Sequence, residues 1–202
     1  MKEVSAILLA AGLSRRMGQE NKLLLPVDGK PMVRHVVETY INVVDGPLIV
    51  VTGFEEGRIR RALEGLSVIF AKNDAFSAGQ ASSVAKGLSV APEAKALLIG
   101  LADQPLLKAS DLQDLLEAHR KHAEVKITVP TKNGQRGNPI VVPAALRSRL
   151  LENPDKPGCM HFTREHPETV QKVDFTAVGF FTDVDTPQDF AKVLQTKEEA
   201  VI

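Results

Sequence analysis

The sequence predicts a Rossmann-like α/β fold, in which helices cover both faces of a mostly parallel central sheet and form three layers. Apolar runs of strand length alternate with segments of helical periodicity, an order typical of parallel sheets built from βαβ units. These runs, such as 96–102, lack polar alternation, which is typical of strands buried on both faces. The 202 residues contain no linker or repeat, so we expect one domain spanning 1–202.

Strands and helices are assigned from the spacing of apolar residues between turn signals. The predicted strands are the apolar runs 4–9, 48–51, 68–71, 96–102, 125–129, 140–142, 170–173 and 178–181. The predicted helices, from apolar spacing or capping signatures, are 31–44, 59–66, 84–88, 110–119 and 144–151. A last helix begins at Pro187 with Thr186 as its N-cap. Residues 196–202 are expected to be a loose tail.

The composition argues against several classes of function. The chain has 25 basic and 25 acidic residues, so it lacks the net positive charge of a general nucleic-acid binder and is not steered towards a membrane. It has no apolar run of membrane-spanning length, and Lys2 and Glu3 lead into a strand without a signal-peptide pattern. Cys159 is the only cysteine, so no intrachain disulfide can form and a reducing cytoplasm is the expected location.

The stretch 8–22, LLAAGLSRRMGQENK, carries the clearest functional signal. A strand that ends in Ala11 and Gly12 lets the main chain approach a ligand, and the N–H groups of such a turn bind phosphate oxygens. Arg16 and Lys22 supply positive charge nearby. The spacing matches neither the P-loop nor the dinucleotide fingerprint. The alternative interpretation is an ordinary strand-to-helix turn with solvated basic residues.

Other candidate residues follow the predicted strands, because parallel sheets bind ligands at the carboxyl ends of their strands. They are Ala11, Gly12, Thr52, Gly53, Asn73, Asp103 and Asn138. Asp103 precedes Gln104 and Pro105, and a carboxylate at a strand end suits Mg²⁺, with an Asx turn as the alternative. Asp185 is the candidate second ligand, although one of Asp183 and Asp185 could instead cap the following helix.

The sequence has no motif for a nucleophilic side chain or a histidine metal site. His119 and His122 lie three residues apart without a third ligand, and Cys159 lacks the context of a catalytic thiol. Ser82 and Ser83 lie at a helix start, where capping is the default and a ribose or phosphate contact is the alternative. A phosphate nucleophile, whose second pKa is about 6, needs no general base at neutral pH. Its reaction depends on positioning and on neutralising charge.

Five segments together resemble the nucleotidyltransferases related to the molybdenum cofactor guanylyl- and cytidylyltransferases. The matching segments are LAAG at 9–12 with Arg16, Gly18 and Lys22, GQASS at 79–83, ADQP at 102–105, GNP at 137–139 and DVDTP at 183–187. The resemblance covers residues 4–194 and implies a three-layer α/β/α nucleotidyltransferase fold. It also implies transfer of CMP from CTP to the phosphate of molybdopterin cofactor, with release of pyrophosphate.

The resemblance implies a role for each matching residue. Lys22, Arg16 and Asp103 would be catalytic, and Mg²⁺ or Mn²⁺ would bind to Asp103 and Asp185. Together with the strand-end residues, it gives a set of candidate nucleotide-binding residues. They are Leu9, Ala10, Ala11, Gly12, Thr52, Gly53, Asn73, Gly79, Ser82, Ser83 and Asn138.

The nucleotide and the acceptor are the least specified parts of this hypothesis. Guanylyl enzymes tend to have Leu-Ala-Gly-Gly, whereas this chain has Ala11 before Gly12 as the cytidylyl enzymes do, and the extra methyl would crowd a purine. Many cytidylyl enzymes have His where this chain has Asn138. One alternative is another NTP, such as GTP, with a different small phosphorylated acceptor. The other is a carrier without catalysis that hands the cofactor to a recipient molybdoenzyme.

Overall fold

The computed structural model describes residues 2–18, 20–122, 125–153 and 158–199. Its strands are β1 (Lys2–Ala10), β2 (Pro26–Val27), β3 (Lys30–Pro31), β4 (Leu48–Thr52), β5 (Ile69–Lys72), β6 (Ala94–Leu101), β7 (Ile127–Lys132), β8 (Gln135–Arg136), β9 (Ile140–Pro143) and β10 (Val170–Asp174). Its α-helices are α1 (Met32–Ile41), α2 (Glu56–Ala62), α3 (Gln80–Val90), α4 (Ala109–His122), α5 (Ala144–Arg147), α6 (Cys159–Glu165) and α7 (Pro187–Glu199). No helix among these described residues combines the length and apolarity needed to cross a bilayer.

The described strands form a mixed central sheet in the order β10-β7-β9-β6-β1-β4-β5, with β8 paired to β7 and β2 paired separately to β3. Strands β6, β1, β4 and β5 are mutually parallel, while β9 runs antiparallel to both of its neighbours. Strand β1 lies between β6 and β4, with Leu9 opposite Leu101 of β6 and Ala10 opposite Thr52 of β4. The predicted fold class is therefore confirmed, and the chain segments after β1, β4 and β6 emerge at one edge.

The two faces of the sheet carry separate hydrophobic clusters, because successive strand side chains point to opposite sides. Ile7 of β1 packs with Val84 and Leu88 of α3, whereas Leu8 belongs to the cluster that contains Tyr40 of α1. Helix α1 buries one face at intervals of three and four residues, namely Met32, Val33, Val36, Val37 and Tyr40. Each fully buried aliphatic side chain of this kind contributes roughly 1.5–3 kcal/mol. Helices on both faces give the three layers that the sequence predicts.

Two local predictions are wrong. Residues 178–181 form a 3₁₀ turn and not a strand, because Gly179 lies against the backbone of Leu107, where an added Cβ would be 2.6 Å from its Cα. The turn buries Phe180 completely. The second error is the loose tail, since helix α7 continues to Glu199 and Lys197 Nζ lies 2.7 Å from Asp28 Oδ2. Residues 200–202 lie outside the described part of the chain.

Candidate active site

The loop after β1 is held in shape by its own polar side chains. The buried Asn21 accepts a hydrogen bond at Oδ1 from the backbone N–H of Leu23 over 3.1 Å. The Ser14 hydroxyl accepts another from the backbone N–H of Lys22 over 3.2 Å. Gly18 has φ of 73° and ψ of −120°, a conformation that glycine adopts without the steric cost of a side chain. These features place Lys22 at the start of a short 3₁₀ turn with its side chain facing inward.

The side chain of Lys22 joins two acidic residues from distant parts of the chain. Its Nζ lies 2.5 Å from Asp103 Oδ2 and 2.9 Å from Asp185 Oδ1. Arg16 approaches the other oxygen of Asp185, with Nη2 2.7 Å from Oδ2. The side chains of Lys22 and Asp103 are only 10% and 15% exposed, whereas Arg16 is 67% exposed. The predicted catalytic residues therefore meet in one partly buried charged cluster.

Burial and neighbouring charges perturb the pKa values of this cluster. Burial disfavours the Lys22 ammonium, but the carboxylates of Asp103 and Asp185 outweigh that effect, so the pKa of Lys22 is raised. Burial also works against the charged form of Asp185, yet Lys22 and Arg16 hold its pKa below the ordinary range. Burial raises the pKa of Asp103, and the charges of Asp183 and Asp185 act in the same direction against the pull of Lys22. Lys22 is thus held in its charged form, whereas burial and the two acidic neighbours disfavour the charged form of Asp103.

Three carboxylates are placed so that one cation could contact all of them. Ligand oxygens of Asp103, Asp183 and Asp185 lie within 4.8 Å of one another. The turn after β6 is tied to the 183–185 segment by a backbone hydrogen bond, in which the N–H of Val184 donates to the carbonyl of Asp103 over 2.9 Å. Within the described residues, the buried Oδ1 of Asp103 has no hydrogen-bond partner. Hard carboxylate oxygens with a free acceptor atom fit Mg²⁺ or Mn²⁺.

The start of helix α7 shows that neither Asp183 nor Asp185 caps it. Asp189 Oδ2 accepts hydrogen bonds from the N–H of Thr186 over 2.9 Å and from its hydroxyl over 2.7 Å. In return, Thr186 Oγ1 accepts from the N–H of Asp189 over 3.2 Å. This reciprocal arrangement is a capping box, as the predicted N-cap at Thr186 requires. It leaves the side chains of Asp183 and Asp185 available to the cleft.

The charged cluster lies in a cleft of about 450 Å³ at the carboxyl edge of the sheet. Nine of the predicted site residues line it: Leu9, Ala11, Gly12, Arg16, Lys22, Gly79, Ser83, Asp103 and Asp185. Its other lining residues are Leu13, Arg15, Leu23, Phe76, Ser77, Gln80, Leu101 and Asp183. Residues from the β1 loop, the start of α3 and the turn after β6 therefore form the walls of one open site.

The remaining predicted residues lie beside or behind that lining. Ala10 and Thr52 are fully buried in adjacent strands, and Gly53 follows directly after β4. The Asn73 amide donates to the hydroxyls of Ser82 and Ser83 over 2.9 and 3.0 Å, which ties the end of β5 to the start of α3. For all of these residues, a part in nucleotide binding stays a prediction.

Asn138 lies apart from the cleft, in the wall of a neighbouring cavity. Its N–H donates to the Phe180 carbonyl over 2.9 Å. Gly137 leaves no space for a side chain, since an added Cβ would lie 2.6 Å from the same carbonyl oxygen. The Gly-Asn-Pro segment therefore packs against the 178–181 turn and leads the chain into β9.

Several residues that line the cleft or the neighbouring cavity are not among the residues that the sequence predicts for the site. Asp183 is one such residue: it lies two positions before Asp185, and residues two apart in an extended segment share a side, so its place beside the predicted ligand Asp185 follows from that spacing. Gln80 lies within the matching segment 79–83 but was not among the predicted site residues, and Phe76 has no motif that marks it as a cleft residue. Arg136 and Arg164 are 28 positions apart and meet in the neighbouring cavity only through the packing of α6 beside β8. No sequence signal links that pair.

A central parallel sheet with a basic loop and clustered carboxylates at its carboxyl edge defines the class of Rossmann-like nucleotidyltransferase folds. The chain belongs to the family of the MobA-like NTP transferase domain, whose model matches residues 6–170. It is thus a member of a nucleotidyltransferase family.

Several relatives have different names. The nicotine blue oxidoreductase of Paenarthrobacter nicotinovorans is 28% identical over 198 residues, which are 95% of this chain and 96% of the relative. A probable molybdenum cofactor guanylyltransferase of Natronomonas pharaonis is 33% identical over 122 residues, 60% of each chain. The bifunctional protein GlmU of Thermotoga petrophila is 33% identical over 75% of this chain, which spans only 34% of GlmU.

Solved structures share the fold. A nucleotidyl transferase from Methanothermobacter thermautotroptrophicus has a TM-score of 0.83 at 22% identity, with 98% of this chain and 99% of that chain covered. A protein of Mycobacterium tuberculosis H37Rv, described as a complex with manganese, has a TM-score of 0.69 at 21% identity, with 96% and 99% covered. At these identities the likeness concerns the fold alone.

Proposed function

We propose that the protein transfers CMP from CTP to the phosphate of molybdopterin cofactor and releases pyrophosphate, with Mg²⁺ or Mn²⁺ bound at Asp103 and Asp185. The observation that carries the transferase proposal is the position of Lys22 Nζ between the two carboxylates, 2.5 and 2.9 Å away, in the cleft beside the β1 loop. The family of the chain supports the reaction class. We propose that residues 1–202 act as one domain and that the protein is cytoplasmic, as expected from its single cysteine.

The reaction makes one phosphorus–oxygen bond and breaks another. An oxygen of the acceptor phosphate attacks the α-phosphorus of the nucleotide, and the bond to the bridging oxygen breaks, so that its electron pair leaves with pyrophosphate. The acceptor phosphate is largely ionised at neutral pH, so no side chain has to remove a proton. This agrees with the composition of the described cleft lining, which contains lysine, arginine and aspartate but no histidine or cysteine.

The charged side chains of the cleft would perform the remaining tasks. Lys22, held in place by burial and by its two carboxylates, would neutralise charge at the α-phosphate as the bonds change. Arg16, more exposed and nearer the rim, would contact the departing pyrophosphate. Asp103, Asp185 and Asp183 would hold the divalent cation, which neutralises triphosphate charge when bound.

The choice of CTP rests on the small residues at the end of β1. Ala11 is 4% exposed and lines the cleft next to Gly12, so its methyl group occupies space that a glycine would leave to a larger base. One methyl provides only about 1–3 kcal/mol of discrimination, and backbone groups that read the base edge would have to supply the rest. The 33% identical relative named as a guanylyltransferase makes GTP the direct competitor in any test.

One turnover assay separates the candidate functions. Purified protein, Mg²⁺ and molybdopterin cofactor are combined with CTP, GTP, ATP or UTP in turn, and pyrophosphate release and the nucleotide adduct are both measured. Adduct formation with CTP supports the proposal, and adduct formation with another nucleotide replaces CTP within the same reaction class. Binding of the cofactor without pyrophosphate release with any nucleotide would instead support the carrier alternative. Asp103→Asn is the matched control, since it keeps the size of the side chain while removing its charge.

A further inference from the structure

A second cavity of about 560 Å³ opens beside the catalytic cleft. The two spaces share the lining residues Leu9, Gln80 and Leu101, so ligands bound in them would meet at the end of β1 and β6. The volume lies within the range of about 300–1,000 Å³ that is typical of small-molecule sites. The cavity is therefore large enough for a second substrate next to the nucleotide.

The floor of this second cavity is apolar. Val84 of α3, Ile99 of β6 and Ile140 of β9 line it, and each is at most 6% exposed. Cys159 and Met160 of α6 complete one wall. Burial raises the pKa of the Cys159 thiol to about 12, so the thiol is protonated at neutral pH and contributes packing and not a nucleophile.

The rim of the second cavity is positively charged. Arg136 and Arg164 both line it, and its described lining residues include no aspartate or glutamate. The Arg136 guanidinium donates from Nη1 to Thr163 Oγ1 over 2.9 Å, and Thr163 itself donates to the Cys159 carbonyl over 2.7 Å. Within the described part of the chain, neither arginine forms an ion pair with a carboxylate. Their charge is thus available to a ligand.

The positive charge of Arg164 perturbs the Arg136 guanidinium. Partial burial lowers the pKa of Arg136, and the positive charge of Arg164 acts in the same direction. Two like charges that face one cavity are stabilised by an anion between or beside them, and arginine binds carboxylate and phosphate groups in a planar, bidentate manner. The adjoining cleft has the opposite character, because three aspartates project into it.

We infer that the second cavity binds the phosphorylated acceptor of the proposed reaction, and that Arg136 and Arg164 hold a second anionic group of that acceptor. This inference rests on the proposed nucleotidyl transfer, which requires the nucleophilic phosphate to reach the cleft. That phosphate would lie near Gln80 at the junction of the two spaces, and the body of the acceptor would cover the apolar floor. Arg136 and Arg164 would therefore determine which phosphorylated molecules are accepted.

The experiment uses two organic phosphates that differ in the second anionic group. The full-length protein is titrated with 3-phosphoglycerate, which has a remote carboxylate, and with glycerol 3-phosphate, which has none. The Nε–H signals of the arginines are followed by NMR spectroscopy, and affinity is measured by calorimetry. We expect 3-phosphoglycerate to shift the signals of Arg136 and Arg164 and to bind at least about tenfold more tightly than glycerol 3-phosphate, the scale of one charge-assisted hydrogen bond.

Variants and a nucleotide competition make the result decisive. The double variant Arg136→Gln, Arg164→Gln should lose the preference for 3-phosphoglycerate. The charge-conserving double variant Arg136→Lys, Arg164→Lys should retain part of that preference. The control variant Arg61→Gln, on the exposed face of α2, should behave as wild type. The inference would be overturned if the glutamine double variant bound 3-phosphoglycerate as tightly as wild type does. It would also be overturned if Mg²⁺ and CTP displaced 3-phosphoglycerate from the wild-type protein. Binding of Mg²⁺ with CTP or GTP is measured separately in wild type. Failure there would overturn the proposed function, whereas the 3-phosphoglycerate titration tests the anion site at Arg136 and Arg164 independently of the nucleotide.

Discussion

The ammonium nitrogen of Lys22 lies 2.5 Å from the Oδ2 atom of Asp103, although the two residues are 81 positions apart in the chain. The contact links the loop after β1 to the turn after β6, because the two strands are neighbours in the sheet. Asp185 joins the same ammonium from the segment before α7. Lys22 thus forms ion pairs with two of the three carboxylates that we propose as metal ligands.

Removal of Lys22 should affect catalysis and metal binding in opposite directions. Lys22→Met should lower turnover by about 10²–10³, the effect of removing one preorganised charge-stabilising group. It should also bind Mn²⁺ more tightly than wild type, because Asp103 and Asp185 lose their internal cation. Turnover at saturating metal and calorimetric Mn²⁺ titration test the two parts. Lys126→Ala, at an exposed bend, is the control. Unchanged turnover in Lys22→Met would show that the ion pairs of Lys22 support the loop without contributing to catalysis.

Asp103 should be the strongest metal ligand of the three acids. Asp103→Asn should abolish metal-dependent turnover, while Asp185→Asn should be weaker in effect because Asp183 remains beside it. The fold should persist in both variants, since an asparagine oxygen can still accept the Lys22 hydrogen bond. Circular dichroism and metal-dependent turnover are the measurements. Full wild-type activity in excess chelator would disprove the metal hypothesis.

The stability contributed by the ion pair of Asp185 should depend on pH in a defined direction. The pKa of Asp185 is lowered from its ordinary value of 3.8, so its contribution is present above that value and is lost as the pH falls through the lower, folded-state pKa. The raised pKa of Lys22 matters at high pH. Its contribution to the free energy of unfolding is lost only as the pH rises beyond 10.5. The difference in unfolding free energy between wild type and Asp185→Asn, measured without metal, should therefore shrink as the pH falls below about 4. A difference that grows as the pH falls below about 4 would contradict the assignment.

Nucleotide choice should depend on the methyl group of Ala11. Wild type should prefer CTP to GTP, and Ala11→Gly should reduce this preference by about 1–3 kcal/mol in kcat/KM without abolishing activity. Gly53→Ala is an informative comparison, because an added Cβ there would lie 2.9 Å from the Ala11 Cβ and 2.7 Å from that of Phe76. That variant should disturb the cleft for both nucleotides alike. A wild type that prefers GTP would contradict the proposed role of Ala11 in selecting CTP.

Patterns among residues that are neighbours along the chain predict much of the fold and part of the candidate site. The apolar runs at β1, β4 and β6 predict buried parallel strands, and the small residues Ala11 and Gly12 predict a ligand-binding turn after the first of them. Thr186 and Asp189 form the capping box that their spacing indicates. The error at 178–181 has a tertiary cause, since burial of Phe180 and the contact of Gly179 with Leu107 decide that conformation.

By itself, the sequence determined most strands of the central sheet, the β1 loop and the candidate acids, because periodicity, small residues and strand ends are properties of neighbours along the chain. Only the tertiary structure decided that Lys22 lies between Asp103 and Asp185, that Asp183 joins them, and that Arg136 faces the same cavity as Arg164. These relationships connect residues 28 to 163 positions apart. They depend on the order of strands in the sheet and on how helices pack over it, which no local pattern encodes.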